Sequence, residues 1–247
     1  MFTISVKPIK TINQLNQNSV RIPAERIKAL ALQNGFDACG ISSIDINDDV
    51  KEFVTNWITS GYDAEMRWYE TSLNTRFNPE NLFPKANSII SVIINYNHFH
   101  NQNSKHKISQ YAHGKDYHLV VKSQLQSLIK DICAEFPKFE AISFCDTSPV
   151  LERYFAAKSG LGFIGKNSCL INEELGSKIF IGGLICNAET DFDNPIIQNC
   201  GDCDICLRSC PTQALSSTGL NANKCISYHT IENKGDIPEN IAKKITN

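Results

Sequence analysis

Ser88-Ile-Ile-Ser-Val-Ile-Ile-Asn-Tyr96 carries five branched apolar side chains in nine residues and no charge. An unbroken apolar run of strand length suits a strand covered on both faces. The sequence on either side supplies the covers. Upstream, Ile22-Pro-Ala-Glu-Arg-Ile27 opens a helix with proline in its first turn, Ile27, Leu30 and Ala31 on one face, and Gly35 to stop it. Residues 36–41 read as a strand, and Val50, Phe53, Val54, Trp57 and Ile58 keep helical spacing up to Gly61. Downstream, Tyr117, Val121, Leu125, Leu128 and Ile132 form a helical stripe, and residues 141–145 another short strand. Ser148-Pro149 is expected to start a helix with serine as its cap, Val150, Leu151, Tyr154 and Phe155 facing inward. Residues 169–171 and 178–186 are expected to pair as a hairpin around residues 173–176. Together these elements predict an α/β (α+β) domain over residues 1–190, then a module over residues 191–247 entered through a polar, Pro-containing linker. Residues 62–87 hold aromatics, Pro79 and Pro84 with little periodicity, a length expected to serve function.

Composition narrows the function classes. The chain has 247 residues, enough to bury a large core, and 24 Lys+Arg against 26 Asp+Glu, so no global charge draws it to nucleic acid or an anionic membrane. The run at residues 89–94 is far too short to span a bilayer, and residues 1–20 lack both a signal-peptide apolar region and a twin-arginine pair. A cytoplasmic protein with no membrane association, acting as a monomer, is expected.

The ten cysteines are the outlier. Cys39, Cys133, Cys145, Cys169 and Cys186 lie singly in apolar stretches and read as small buried hydrophobes. Cys200-Gly-Asp-Cys203-Asp-Ile-Cys206-Leu-Arg-Ser-Cys210-Pro211 is the run C-x2-C-x2-C-x3-C-P, whose thiolates wrap a [4Fe-4S] cube; the fourth, before proline, reaches a different cluster in two-cluster ferredoxins. Structural zinc prefers two separated C-x2-C knuckles. Two cubes need eight thiolates, and this region offers five: Cys200, Cys203, Cys206, Cys210 and Cys225. The module therefore reads as a partial, ferredoxin-like iron–sulfur unit. Either another ligand completes a single cluster or the sequence ends early.

Other patterns carry less. Gly160-Leu-Gly-Phe-Ile-Gly165 matches G-x-G-x-x-G but follows a helix and precedes a strand, the reverse of a dinucleotide fingerprint; its glycines still allow a large flat cofactor to approach the backbone. Asp116-Tyr-His118 begins like D-x-H-x-x-G, which supplies a cobalt-ligating histidine in some cobalamin enzymes, but Val121 stands where glycine is needed. His118 is therefore read as a surface or packing histidine, and His98, His100, His106, His113 and His229 show no ligand spacing. Asp146 reads from spacing alone as a capping residue, and Glu152 with Arg153 as a solvated pair.

Tyr111-Ala-His-Gly-Lys-Asp-Tyr-His118, Cys145-Asp-Thr-Ser-Pro-Val-Leu-Glu-Arg153, Gly160-Leu-Gly-Phe-Ile-Gly-Lys-Asn167, the cysteine run and Cys225-Ile-Ser-Tyr-His-Thr-Ile-Glu232, in that order, resemble the epoxyqueuosine reductases. The resemblance covers about residue 22 to the C-terminus. It implies an N-terminal cobalamin-binding domain, two [4Fe-4S] clusters in a ferredoxin-like module, and reduction of epoxyqueuosine to queuosine at the wobble position of tRNA. It assigns Asp146 as proton donor to an epoxide attacked by cob(I)alamin, with a low-potential donor feeding electrons through the clusters and no protein histidine on cobalt. The implied cofactor contacts are Arg76, Tyr111, Asp146, Asn167, Ser168, Leu170 and Ile181, with Ser227 beside Cys225 meeting cofactor or tRNA. The implied cluster ligands are Cys200, Cys203, Cys206, Cys210 and Cys225. The family's later cysteine run, expected roughly two dozen residues past Cys225, does not occur before Asn247, so a truncated chain that assembles clusters poorly is expected. Residues 200–247 carry five basic and five acidic side chains, and tRNA as substrate rests on resemblance alone. Two alternatives stand beside this reading: a reductive dehalogenase relative, and a non-catalytic iron–sulfur electron carrier or cofactor-binding remnant.

Overall fold

The computed structural model describes residues 19–97, 109–216 and 219–245. His98, His100, His106 and residues 1–18 of the N-terminal stretch lie outside the described residues. Four strands make the main sheet: β1 (Ala38–Ser43), β2 (Ser88–Asn95), β3 (Ala141–Phe144) and β4 (Ile179–Cys186). They lie in the order β1-β2-β4-β3, each neighbouring pair antiparallel, which is the α+β form of the expected class. Ile90 sits opposite both Ile41 and Leu184, and Ile142 opposite Ile185.

Around the sheet stand α1 (Ala24–Gln33), α2 (Asp48–Thr59), α3 (Tyr117–Glu135) and α4 (Glu152–Lys158), with α5 (Ile205–Ser209) in the cysteine-rich segment. Successive β2 side chains point to opposite faces. Ile90 and Val92 join Ile27, Leu30 and Ala31 of α1 and Val121, Leu125, Leu128 and Ile132 of α3. On the other face, Ile89 packs with Phe155 and Ile185, and Ile93 with Ala156, Ala157 and Leu161. The strand is thus covered on both sides, and each fully buried Ile or Leu contributes roughly 1.5–3 kcal/mol of transfer free energy. Gly182 of β4 sits beneath α3, and a Cβ there would stand 2.6 Å from Val121 Cγ1. The missing side chain lets α3 settle onto the sheet.

The structure departs from the sequence reading in three places. Leu170–Ile171 pairs with Phe163–Ile164, not with β4, which instead lies inside the main sheet. Gly162 permits this, since a Cβ there would meet the Ile171 carbonyl oxygen at 2.4 Å. The helix expected at Ser148 begins at Glu152, after a tight bend in which Thr147 N–H donates to Cys145 O (2.7 Å) and Val150 N–H to Ser148 O (2.8 Å). Cys169 is exposed rather than buried, because it ends a turn instead of facing the core. Cys145 and Cys186 are buried as expected, and all ten cysteines are unpaired.

The unpatterned region and α2 hold the C-terminal segment. Phe53 lies under Gly219, Trp57 Nε1–H donates to Leu220 O (2.5 Å), Ala222 N–H to Tyr62 O (2.8 Å) and Asn223 Nδ2–H to Gly61 O (2.7 Å). The linker is tied down too: Asp193 accepts from Ile41 N–H (2.8 Å) and Lys28 Nζ (2.6 Å). Among the described residues, no helix is long and apolar enough to cross a membrane.

Candidate active site

At the end of β3 the chain turns sharply, and Asp146 takes φ +61, a left-handed conformation that costs an ordinary side chain roughly 1–2 kcal/mol. What holds it is Glu152. The Asp146 N–H donates to Glu152 Oε1 at 2.5 Å. Burial pushes the Glu152 carboxyl up to about 8, and the nearby Asp146 charge adds to this. Glu152 is therefore not half of a solvated pair. Its neighbour Arg153 instead donates to Ser168 O, across to the turn after Gly165. Nor does Asp146 cap a helix: Leu151 precedes α4 and no side chain caps it. The Asp146 side chain is 62% exposed, with Oδ2 3.0 Å from His118 Nε2.

His118 opens α3. Asp116 is the N-cap: its Oδ1 accepts from His118 N–H at 2.9 Å and lies 2.7 Å from His118 Nδ1. Both ring nitrogens thus face carboxylates. Partial burial works against a charged ring, but Asp146 and Asp116 outweigh it and raise the His118 pKa; His118 in turn holds the Asp116 carboxyl below the usual range. The sequence reading missed this residue because it asked only whether His118 ligates cobalt. The usable signal was an aspartate cap two residues before a histidine in a first helical turn. Burial and the adjacent Asp146 also raise the Tyr117 hydroxyl.

A row of rings leads away from this acid. Tyr117 stacks on Phe180 (centroids 4.4 Å apart), and Phe180 meets Tyr96 at a tilt (4.5 Å). Burial, the Cys169 thiol and Tyr111 all push the Tyr96 hydroxyl up. An open cavity of about 230 Å³ runs along these rings, with Tyr111, Gly114 and Lys115 on its wall. Nothing stands within 4 Å of a Cβ built on Gly114.

The turn after Gly165 joins the two halves of the site. Gly165 N–H donates to Cys169 O and Ser168 N–H to Gly165 O, both at 2.9 Å, while Asn167 Oδ1 accepts from Cys169 N–H (3.0 Å) and Ser168 sits at φ +64. On one side Arg153 grips Ser168. On the other, Lys166 N–H donates to Cys200 Sγ (3.4 Å), and Lys166 Nζ to the carbonyls of Gly201 (2.8 Å) and Cys203 (2.9 Å). Cys200, Cys203 and Cys206 line a cavity of about 230 Å³ with Lys166, Asn167, Ile171 and Ile205. Cys210 is separate: Ala214 N–H donates to its sulfur (3.3 Å) and the Thr212 hydroxyl lies 3.6 Å away, bonds that outweigh burial and lower its pKa toward the thiolate. Among the described residues, no three His, Cys, Asp or Glu side chains are grouped to hold a single metal ion.

The remaining candidates divide. Tyr111 lines the cavity along the rings, Asn167 lines the one beside the cysteine run, and Asp146 is exposed at the turn after β3, while the Ser168 carbonyl accepts from Arg153. Leu170 is buried and Ile181 packs beside it, so their side chains belong to the core. Arg76 is buried under the bend, its Nε–H on Ser72 Oγ (2.9 Å), its Nη1–H on Val150 O (3.4 Å) and its guanidinium 4.4 Å from the Tyr69 ring. Ser227 is exposed just before the turn Tyr228–Glu232.

An α+β core with an exposed, histidine-paired acid at a strand end, joined by one short turn to a [4Fe-4S]-type cysteine run, defines an iron–sulfur oxidoreductase. The family described as epoxyqueuosine reductase QueG, DUF1730, matches residues 76–147, and a 4Fe-4S double cluster binding domain matches residues 199–247. The epoxyqueuosine reductase of Leadbetterella byssophila is 38% identical over 91% of this chain and 74% of its own, and that of Cellulophaga algicola 38% identical over 90% and 73%. The chain belongs to the epoxyqueuosine reductase family. The solved enzyme from Streptococcus thermophilus superposes with a TM-score of 0.80 at 29% identity, over 90% of this chain and 61% of that one. An epoxyqueuosine reductase solved with an epoxyqueuosine-modified tRNA-Tyr stem loop gives 0.81 at 29% identity, over 90% and 60%. The chain thus spans about three fifths of those solved chains. A catabolic reductive dehalogenase, at 17% identity and a TM-score of 0.51, over 83% of this chain and 29% of that one, shares the fold alone.

Proposed function

We propose that this chain reduces epoxyqueuosine to queuosine at the wobble position of tRNA, with Asp146 as the acid and Cys200, Cys203 and Cys206 holding a [4Fe-4S] cluster, while Cys210 and Cys225 serve a second. The observation that carries this reading is the turn after Gly165, because it contacts both the Asp146 motif through Arg153 and the cysteine run through Lys166. N–H···S bonds at Cys200 and Cys210 are the kind that orient and stabilise cluster thiolates. The spacing and these N–H donors therefore suit iron–sulfur, with five of the eight thiolates that two cubes need. The cobalamin fit rests on the open cavity of about 230 Å³ walled by Tyr96, Tyr111, Tyr117 and Phe180, with Gly114 leaving room for close approach. When bound there, cobalamin supplies a low-potential nucleophile toward the epoxide carbon. The chain's own residues do the rest. Asp146 reaches into solvent and protonates the departing oxygen, a poor leaving group as alkoxide. Glu152 holds the Asp146 backbone in place, Arg153 fixes the Ser168 carbonyl, and Lys166 anchors the cluster loop.

In this reading the protein acts in the cytosol as a monomer, takes electrons from a low-potential donor, and divides near residue 190 into corrin and cluster parts, with Ser227 near the cofactor or tRNA. The test is anaerobic loading with iron, sulfide and cobalamin, followed by turnover of tRNA bearing epoxyqueuosine. Asp146→Asn is expected to lower the rate by at least about 100-fold. Retention of full turnover in that variant removes the acid assignment, and uptake of iron without corrin absorbance favours the electron-carrier alternative.

A further inference from the structure

Removing an epoxide oxygen to leave an alkene breaks two C–O bonds and expels the oxygen as water. The reaction consumes two electrons and two protons, both protons ending on the same oxygen. One carboxylic acid gives only one. If Asp146 is the donor, as proposed above, it must be reprotonated while the substrate still covers it. The structure offers a source at hydrogen-bond distance.

His118 Nε2 lies 3.0 Å from Asp146 Oδ2, and His118 Nδ1 lies 2.7 Å from Asp116 Oδ1. A neutral imidazole has one N–H and cannot donate to two carboxylates at once. The arrangement is satisfied with one extra proton, in either of two forms: imidazolium between two carboxylates, or neutral imidazole donating to Asp116 and accepting from a protonated Asp146. The two forms differ only by a proton moved along the Nε2–Oδ2 contact. We propose that Asp116, His118 and Asp146 are a proton relay, in which Asp116 fixes the ring and His118 recharges Asp146 between the two protonations of the departing oxygen.

Atoms and electrons balance in two steps. In the first, the Asp146 O–H bond breaks and a substrate O–H bond forms as one C–O bond opens, its electron pair staying on oxygen. The N–H of His118 then breaks and Asp146 regains a proton, leaving His118 neutral with its remaining N–H on Asp116. In the second, Asp146 protonates the same oxygen as the other C–O bond breaks and water leaves. The two electrons come from the low-potential donor. Asp146 and Asp116 are 62% and 54% exposed, so solvent restores the relay afterwards.

The surroundings favour this use. Besides the two aspartates, Tyr117 stacks on the ring at 4.0 Å and Lys122 lies on α3, while Cys145 and Glu152 stand around Asp146 on the β3–α4 side, with Arg153 beside Glu152. Burial raises Tyr117, raises Cys145 to about 12 and raises Glu152 to about 8. None of the three competes as an anion near pH 7. Lys122 Nζ turns to Thr147 Oγ1 at 3.3 Å. His118 is a positioning and proton-supplying residue that acts through Asp146.

The test has a readout that does not depend on turnover. In the isotopically labelled 247-residue chain, the His118 ring is titrated by NMR. Its pKa is expected above the ordinary value of about 6.5, and lower in Asp146→Asn and in Asp116→Asn; asparagine keeps the helix cap, so the second variant preserves α3. In the loaded enzyme, the alkaline limb of the rate profile is expected to follow the His118 pKa. His118→Gln is expected to slow turnover by about tenfold or more and to shift that limb. A ring that titrates at the ordinary value, or is unmoved by Asp146→Asn, overturns the relay. So does a His118→Gln enzyme with the wild-type rate and pH profile. A fully active Asp146→Asn enzyme overturns the underlying acid assignment instead, while the ring titration still reports whether the proton is shared.

Discussion

Glu152→Gln isolates the residue that holds Asp146. The Glu152 carboxyl is raised from 4.5 to about 8 by burial, which outweighs the hydrogen bond from Asp146 N–H and is helped by the Asp146 charge. Below pH 4.5 it is protonated in both the folded and unfolded chain, and stability does not depend on its titration. Between pH 4.5 and about 8 the folded chain keeps the proton while the unfolded chain has lost it, so the Glu152 contribution falls as pH rises and is gone above about 8. At about 1.4 kcal/mol per pH unit the full span is on the order of 5 kcal/mol. The side chain retains some solvent contact, which screens the effect, and about half of that, 2–3 kcal/mol, is expected. Glutamine is neutral at every pH, and its carbonyl can still accept from Asp146 N–H. Urea unfolding under reducing, anaerobic conditions should therefore find the variant and wild type closely matched at pH 5, with the variant gaining about 2–3 kcal/mol by pH 8.5. A difference that stays constant from pH 5 to 8.5 refutes the argument that Glu152 is buried and neutral beneath the acid.

Gly182→Val places two extra methyl groups and a Cβ where Val121 already stands 2.6 Å away, and should cost about 1–3 kcal/mol in urea unfolding; Gly114→Ala, facing open space, should change stability by less than about 0.5 kcal/mol. Lys166→Met removes both carbonyl contacts to the cysteine run. Its iron–sulfur absorbance, after anaerobic loading, should bleach severalfold faster in air than that of wild type, with unfolding of the sheet little changed.

Local chemistry made the scaffold legible. The apolar run at residues 88–96 had to be covered twice because neither of its faces is polar, and it is. Proline and glycine bounded α1, and the helical stripe at residues 117–132 became α3, since periodicity and backbone restriction act within a few residues. The cysteine run declared its own chemistry because four thiols at [4Fe-4S] spacing fall within one short stretch.

Partner choice across long separations was not legible. Strand pairing for Leu170–Ile171 depended on Gly162 admitting a neighbouring backbone, which spacing does not reveal. His118 and Asp146 are 28 residues apart, and each alone fits an ordinary surface role. They meet because Gly182 lets α3 close on the sheet whose β3 ends two residues before Asp146. Lys166 and Cys200, 34 residues apart, likewise touch only once the Gly165 turn is folded. Residue type and spacing determined where most helices and strands form and that residues 199–247 belong to a 4Fe-4S binding domain. Packing decided which acid meets which base, because hydrogen-bond geometry depends on distances that only the assembled core sets.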